Sequence, residues 1–416
     1  MGATTAAEPL HPDAPEGLPP GIPRNVAICL IVVPMVHGIG QSLVFAILPA
    51  VARDSGISAN GVGLIYMLPA IAWSLITAWW GHRCDHWDRK PILLLSVLGF
   101  AASLLIFGGA AAGAYAGWYG AGTLWVLILL SRLLYSALSS GALPAAQAYV
   151  IDRTPAARRA VSIGRLTASW NFGTLLGPGV IGLLATFGLL TPLFATAGFA
   201  LLVWVAVART LPSQRPRHRD QRLPRLRLAD PRIRGVLLIG LCGSIAQATL
   251  LQTLAYYFMD RLGTSTADTP RLVGIALMLA AIATLFSQTV LVPRLAMKPW
   301  RLETAGIVVS FCAFVGLGLG ANAVGVWLAT LVCGLGYGLL RPGNITRASL
   351  AVQPHEQGAV AGLNGALWSA GYIVTPVFAM PLHEADPRLP YVVACLVLLV
   401  ALALNLRQRL DTVQFK

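Results

Sequence analysis

The sequence predicts an all-α integral membrane protein with twelve transmembrane helices in two pseudo-symmetric six-helix bundles. Three observations carry this prediction. Of 416 residues, 56% are hydrophobic and only 11% are charged, whereas soluble globular proteins carry about 25% charged residues. At about 20 apolar residues per span, a chain of this length accommodates twelve spans joined by short loops. Finally, a glycine pattern recurs at a constant offset of 198 residues: Gly164, Gly173 and Pro178 return as Gly362, Gly371 and Pro376. Glycine lets neighbouring membrane helices approach closely and proline bends them. Three matches at one offset therefore point to a duplicated bundle, an architecture that places a substrate site between the halves.

Residues 1–25 are polar and proline-rich and read as a disordered tail. They lack the basic cluster and apolar core of a signal peptide, and Ala6 stands where myristoylation requires Ser or Thr. The spans are expected at 26–50, 61–80, 91–112, 122–147, 161–187 and 190–208 in the first bundle (26–208). In the second bundle (235–406) they are expected at 235–259, 271–292, 304–322, 324–346, 358–381 and 389–406. A linker (209–234) joins the bundles, and residues 407–416 form a second tail.

Charge placement sets the expected orientation. Of the 30 basic residues, 25 fall in the tails, in alternate loops or in adjoining span ends, with Arg165 and Arg341 counted there. The opposite loops hold four, Arg53, Arg261, Arg271 and Arg388, and Arg132 lies inside a span. Both termini are thus expected in the cytoplasm. The linker carries nine Arg and two Asp. Its location beside the membrane assigns those arginines to anionic lipid headgroups rather than to nucleic acid, despite the formal charge of +14. The six cysteines are isolated, which argues against disulfides or a zinc framework. His82, Cys84 and His86 alternate, but no further ligands stand nearby to complete a metal site.

Three motifs carry functional information. In the loop after span 2, Gly81-His-Arg-Cys-Asp85-His-Trp-Asp88-Arg89-Lys90-Pro91 sets a carboxylate and a basic pair about a helix start. Within span 4, Arg132 lies about ten residues deep, ~15 Å from the span end and near the midplane. A charge at that depth marks a functional site by default. In span 5, Gly164, Gly173, Gly177-Pro178 and Gly182 form a spaced small-residue run. Together these resemble the loop signature, the helix-4 arginine and the helix-5 motif of proton-coupled exporters of the major facilitator superfamily. The resemblance covers the whole chain after the tail. It departs at His86, where the family is basic, at Asp88, where it prefers Gly, at Ser136, where it has Gly, and at Ile181, since Gly182 arrives one place late. The resemblance implies that Gly81, Asp85, Arg89 and Lys90 form a conformational latch between the halves. It implies antiport through the helix-5 motif, and a cavity lined by helices 1, 4, 7 and 10.

The candidate substrate and proton pathway is His37 and Gln41, Arg132 and Tyr135, with Gln247, Gln252 and Tyr256 from span 7 and Tyr337 from span 10. The first two pairs stand four and three residues apart and so share a helical face. All sixteen acidic residues fall in tails, loops or span ends. A desolvated cation without a counter-charge is strongly unfavourable, so the expected cargo is a neutral, zwitterionic or anionic small molecule, such as a siderophore-type chelator. Arg132 nearby would oppose a second charge on His37, which would then load a proton only when a bound anion offset the arginine. The rival readings are export of lipophilic cations, uptake by the same fold, and an integral-membrane enzyme, for which no catalytic groups converge. The expected protein acts as a monomer in the inner membrane, with no metal and no cofactor, driven by a proton gradient.

Overall fold

The structure, a computed structural model, describes residues 23–84, 86–154, 159–213, 226–353 and 356–414. The first tail up to residue 22, Asp85 and the middle of the linker lie outside the described residues. Twelve helices are long and apolar enough to cross a membrane. The first six are α1 (Arg24–Asp54), α2 (Ala59–Cys84), α3 (Arg89–Tyr115), α4 (Ala121–Arg153), α5 (Ser162–Phe187) and α6 (Thr191–Thr210). The second six are α7 (Arg234–Leu262), α8 (Thr269–Leu295), α9 (Pro299–Leu319), α10 (Ala323–Leu350), α11 (Gln357–Ala385) and α12 (Leu389–Gln408). All are helical for one reason: hydrocarbon offers no hydrogen bonds, so each spanning segment must satisfy its backbone within itself. Large apolar side chains such as Leu75, Leu183, Leu202 and Leu319 stand exposed on the outer surface, where lipid would surround them.

The span expected at 304–322 begins earlier, at Pro299, because proline fits the first turn of a helix, where no N–H is required. This shift carries Glu303 into the helix. The fourth span runs six residues past its expected end and breaks at Ser140 and Gly141. Trp80 donates its indole N–H to the Ala137 carbonyl at that break, 2.8 Å away. A Cβ on Gly141 would press on the Trp80 ring. In α8, a π-helical turn at Ser287–Leu291 precedes Pro293, relieving the clash that a proline makes with the preceding helical turn.

The two halves repeat one packing scheme. In the first, α1 lies on α5, α2 on α4, and α3 on α4 and α6; in the second, α7 lies on α11, α8 on α10, and α9 on α10 and α12. The halves touch chiefly through α2 with α11 and α5 with α8, which are themselves a symmetry-related couple. Glycine makes these approaches possible. A Cβ on Gly173 would collide with the Met35 backbone of α1, and one on Gly38 with the Trp170 backbone of α5. Between the halves, a Cβ on Gly274 would fall 2.8 Å from the Pro178 carbonyl oxygen and 3.1 Å from the Gly182 nitrogen. Gly164, by contrast, has open space around it.

Gly173→Val is therefore expected to cost at least the about 1–3 kcal/mol typical of overpacking, lowering the thermal unfolding midpoint and the monodisperse yield in detergent. Gly164→Ala should leave both unchanged. Equal behaviour of the two variants would show that α1 and α5 do not meet through glycine.

Candidate functional site

Arg132 projects from the middle of α4 and is 8% exposed. Its guanidinium lies 4.3 Å from the centre of the Tyr135 ring, the one-turn neighbour expected from sequence. Its Nη1 is buried without a hydrogen-bond partner. Ser136, beneath it, donates to the Pro69 carbonyl at 2.8 Å and ties α4 to α2. Among the described residues Arg132 forms no ion pair. Aromatic faces can hold a cation in place of a carboxylate, and that is the arrangement here.

His37 sits deeper within the first half and is fully buried. Nδ1 bonds the Val33 carbonyl of its own helix at 2.8 Å. Nε2 is buried without a hydrogen-bond partner. The rings of Phe100, Tyr135 and Trp170 enclose it at 4.9, 6.4 and 6.1 Å. Tyr135 thus joins His37 and Arg132, while Gln41, one turn along α1, is half-buried.

In the second half, Gln252 Nε2 donates to the Tyr372 carbonyl at 3.2 Å, and Tyr372 donates to Gln247 Oε1 at 3.4 Å. Gln252 Oε1 and the Tyr337 hydroxyl are buried without partners. Sequence reasoning treated Arg341 as a span-end charge, yet α10 continues to Leu350, so Arg341 lies well inside the span. Its guanidinium stands 5.0 Å from the Trp368 ring centre, again with no ion pair among the described residues. Trp368 and Trp170 are also 198 residues apart. That fourth match of the repeat was the available signal, since Trp170 accompanies the buried His37 and Trp368 the half-buried Arg341. Phe45 of α1 links the halves, lying 5.2 Å from Tyr66 and 6.3 Å from Tyr372. The centre between the bundles is therefore aromatic and carries two arginines, the buried Arg132 and the half-buried Arg341.

Tyr256 lies elsewhere. Although expected in the central pathway, it sits at the end of the bundle remote from the termini, 5.6 Å below the Arg53 guanidinium and 5.7 Å from the His383 ring. There the halves are joined by charge: Arg53 on α1 reaches Asp260 on α7 at 2.7 Å, and Asn60 on α2 reaches Glu384 on α11 at 2.6 Å. Each polar contact between the halves seen among the described residues is at this end. Sequence reasoning placed these groups at span ends but had no means of pairing them.

The loop motif lies at the opposite end. Asp85 is outside the described residues. Asp88 has an extended backbone rather than a left-handed one and caps α3, accepting the Lys90 N–H at 2.9 Å. That capping role explains why Asp serves where Gly was expected. Ser213 also bonds Asp88. Arg89 pairs with Asp152 of α4 at 3.0 Å and Lys90 donates to the Ala208 carbonyl of α6 at 2.7 Å. These basic groups are engaged within their own half. The second half has a counterpart of opposite sense. Glu303 of α9, entirely buried, bonds Arg347 of α10 and accepts from Asn344 at 2.9 Å, and Arg347 also donates to Asn405 and Gln408. Beyond the described break in the linker, Arg232 bridges Asp230 and Glu356. Its hydrogen bonds hold the Asp230 carboxyl below the usual carboxylate range.

In the helix-5 motif, Gly173 and Gly177 face α1, while Pro178 and Gly182 face α8 of the other half. Ile181 is fully buried. Among the described residues no cluster of metal-ligating side chains occurs.

Twelve spans in two repeated bundles, a basic aromatic centre and an ionic closure at one end define a secondary transporter rather than an enzyme. The sequence profile of the Major Facilitator Superfamily matches residues 30–407, and the chain belongs to that family. It is similar to multidrug resistance protein 1 of Bacillus subtilis, at 24% identity over 92% of this chain and 96% of the relative. It is also similar to the quinolone resistance protein NorA of Staphylococcus aureus, at 21% identity over 91% of this chain and 95% of the relative. Among solved structures, the nucleoside transporter NupG aligns with a TM-score of 0.70 at 14% identity, over 92% of this chain and 99% of that one. A bacterial homologue of the human lysosomal transporter Spinster, inward-facing and unoccupied, aligns at 0.68 and 15% identity, over 91% and 95%.

Removing Arg347 would leave the Glu303 carboxylate buried with only Asn344 beside it. Arg347→Met is expected to destabilise the protein by about 3–5 kcal/mol, read as a lowered unfolding midpoint in detergent. Adding Glu303→Gln should recover most of the loss. A double variant no better than the single one would remove the pair from the account.

Proposed function

We propose that this chain is a proton-coupled exporter of a small organic molecule that is neutral, zwitterionic or anionic, such as a secreted metabolite or a chelator of the siderophore type. The observation that carries this reading is the central pair of arginines, the buried Arg132 and the half-buried Arg341, placed against the rings of Tyr135 and Trp368. Two cations withdrawn from water to this extent and without carboxylates create a site that attracts negative charge and penalises cations. The antiport direction is supported by the helix-5 motif and by the relatives, whose names denote drug resistance. Those names also favour a second reading, multidrug export with lipophilic cations among the cargo. The orientation follows from the distribution of Lys and Arg, which assigns the termini to the cytoplasm of a bacterial inner membrane. With that orientation the charged closure lies on the outer side and the arrangement is inward-facing. Transport then consists of rocking the two halves about the central site. The protein works as a monomer, contacts anionic lipid through its linker arginines, and uses the loop motif as a latch in the opposite state.

The test is efflux from sealed vesicles. Arg132→Ala and Arg341→Ala are each expected to reduce organic-anion efflux by about tenfold or more, equivalent to about 1.4 kcal/mol of lost interaction with cargo. Lipophilic cations should be moved poorly by the wild type. Robust cation efflux that survives both substitutions would establish the multidrug reading instead.

Orientation is tested separately with a single cysteine placed in the linker between residues 214 and 225. An impermeant thiol reagent should leave it unmodified in intact cells and label it after the membrane is opened. Labelling of intact cells would reverse the topology.

A further inference from the structure

The outer surface of the first half carries a recess that neither the central site nor the closure accounts for. Beside the break in α4 lies a groove of about 580 Å³, lined by Leu75, Ile76 and Trp79 of α2, Trp87 of the following turn, Leu95 of α3 and Leu138 of α4. Trp80 forms its floor, with the indole N–H engaged by the Ala137 carbonyl at 2.8 Å, so the floor is apolar. The walls are open: Leu75 is 69% exposed, Trp79 46% and Trp87 45%. Over the two tryptophans lies Arg83, its guanidinium 5.0 Å from the Trp79 ring centre and 5.1 Å from that of Trp87, with no ion pair among the described residues. Arg89 and Lys90, the other arginine and lysine of this turn, are engaged elsewhere, with Asp152 and the Ala208 carbonyl. Ring faces hold a cation without occupying its N–H donors, and a planar guanidinium presents those donors as a fork that matches a phosphate. Leu75 and Arg83 are eight residues apart on α2, so the apolar groove extends about 12 Å from the arginine along the helix. Exposed indoles at the end of a span mark the headgroup level of a bilayer.

We propose that this groove binds one anionic phospholipid, with an acyl chain along Leu75, Ile76, Leu95 and Leu138 and the phosphodiester at Arg83. Any apolar surface of a span is wetted by lipid. Here the contact is selective, because the recess fixes one chain and a guanidinium faces the phosphate above it. A zwitterionic headgroup brings its own ammonium towards Arg83 and loses part of that attraction, whereas an anionic headgroup keeps it. One arginine near an anionic lipid surface is worth about fivefold in affinity. Trp79 and Trp87 flank the junction of chain and headgroup, a position that suits rings with one apolar face and one polar tip. The site is separate from the linker arginines and independent of cargo and of the direction of transport.

The experiment uses the full chain in phosphatidylcholine vesicles doped with phosphatidylglycerol or phosphatidylcholine brominated in the upper part of the chain, which quenches tryptophan on contact. Subtracting the signal of Trp79→Phe/Trp87→Phe isolates these two indoles from the rest of the eleven tryptophans, and each variant is compared with its own such reference. In the wild type, half-maximal quenching is expected at about fivefold lower mole fraction of brominated phosphatidylglycerol than of brominated phosphatidylcholine. Arg83→Gln should abolish that preference and leave quenching by phosphatidylcholine unchanged. Leu75→Phe, which places a ring in the groove without altering charge, should weaken quenching by both lipids. Arg222→Gln/Arg225→Gln in the linker should keep the wild-type preference. Dissolved glycerol phosphate, which has the phosphate but no chain, should not relieve the quenching. An equal response of the wild type to both lipids overturns the inference, as does a preference that survives Arg83→Gln or quenching unchanged by Leu75→Phe. Loss of the preference in the linker variant assigns the anion to the linker, and relief by glycerol phosphate assigns the site to a free phosphate; either result also overturns it.

Discussion

The structure depends on how closely α1 and α7 lie against α5 and α11. In lipid there is little hydrophobic gain from bringing two apolar helices together, so association relies on close packing. The contacts that provide it are backbone against backbone at Gly38 on Trp170 and Gly173 on Met35, and backbone against the small side chains of Ser42 and Ser244 at Gly177 and Gly371. Each brings a helix within reach that a single methyl group would hold away. Because α1 carries His37, Phe45 and Arg53, and α7 carries Gln247, Gln252 and Asp260, these glycines set both the centre and the closure remote from the termini.

Charge is distributed between two kinds of site with different mechanical consequences. At the end bearing the termini, Arg89 with Asp152 and Glu303 with Arg347 each join helices of one half. They occupy equivalent places in the repeat with opposite sense, and make each half rigid within itself. At the other end, Arg53, Asp260, Asn60 and Glu384 join one half to the other. Few and ionic, such contacts can form and break as units while the packed interiors stay intact, which is what rigid-body switching requires. The centre has neither kind of pairing. Its arginines lie against ring faces instead of carboxylates.

Histidine appears in both regions, and its surroundings separate the two cases. His37 is boxed by rings and bonded to its own helix, a setting that suits a fixed role in packing. His383 joins α11 to α7 within the second half through Asp260, the carboxylate that also meets Arg53 of the first half, and its Nδ1 is buried without a hydrogen-bond partner.

The sequence by itself determined the number of spans, the twofold repeat and the family, because these depend on local quantities: apolar runs of bilayer length and glycine and proline spaced along one helix. Arg132 was legible for the same reason, as a charge isolated in an apolar run. What depended on distant partners was not legible. Arg341 and Glu303 were assigned to span ends, since hydropathy falls off before the helix does at polar termini and a proline start extends it. Asp260, His383 and Arg53 are each ordinary span-end residues in sequence. Only the tertiary structure brought them together, because their distances are set by how α1, α7 and α11 pack against one another across two halves, and no local pattern encodes that geometry.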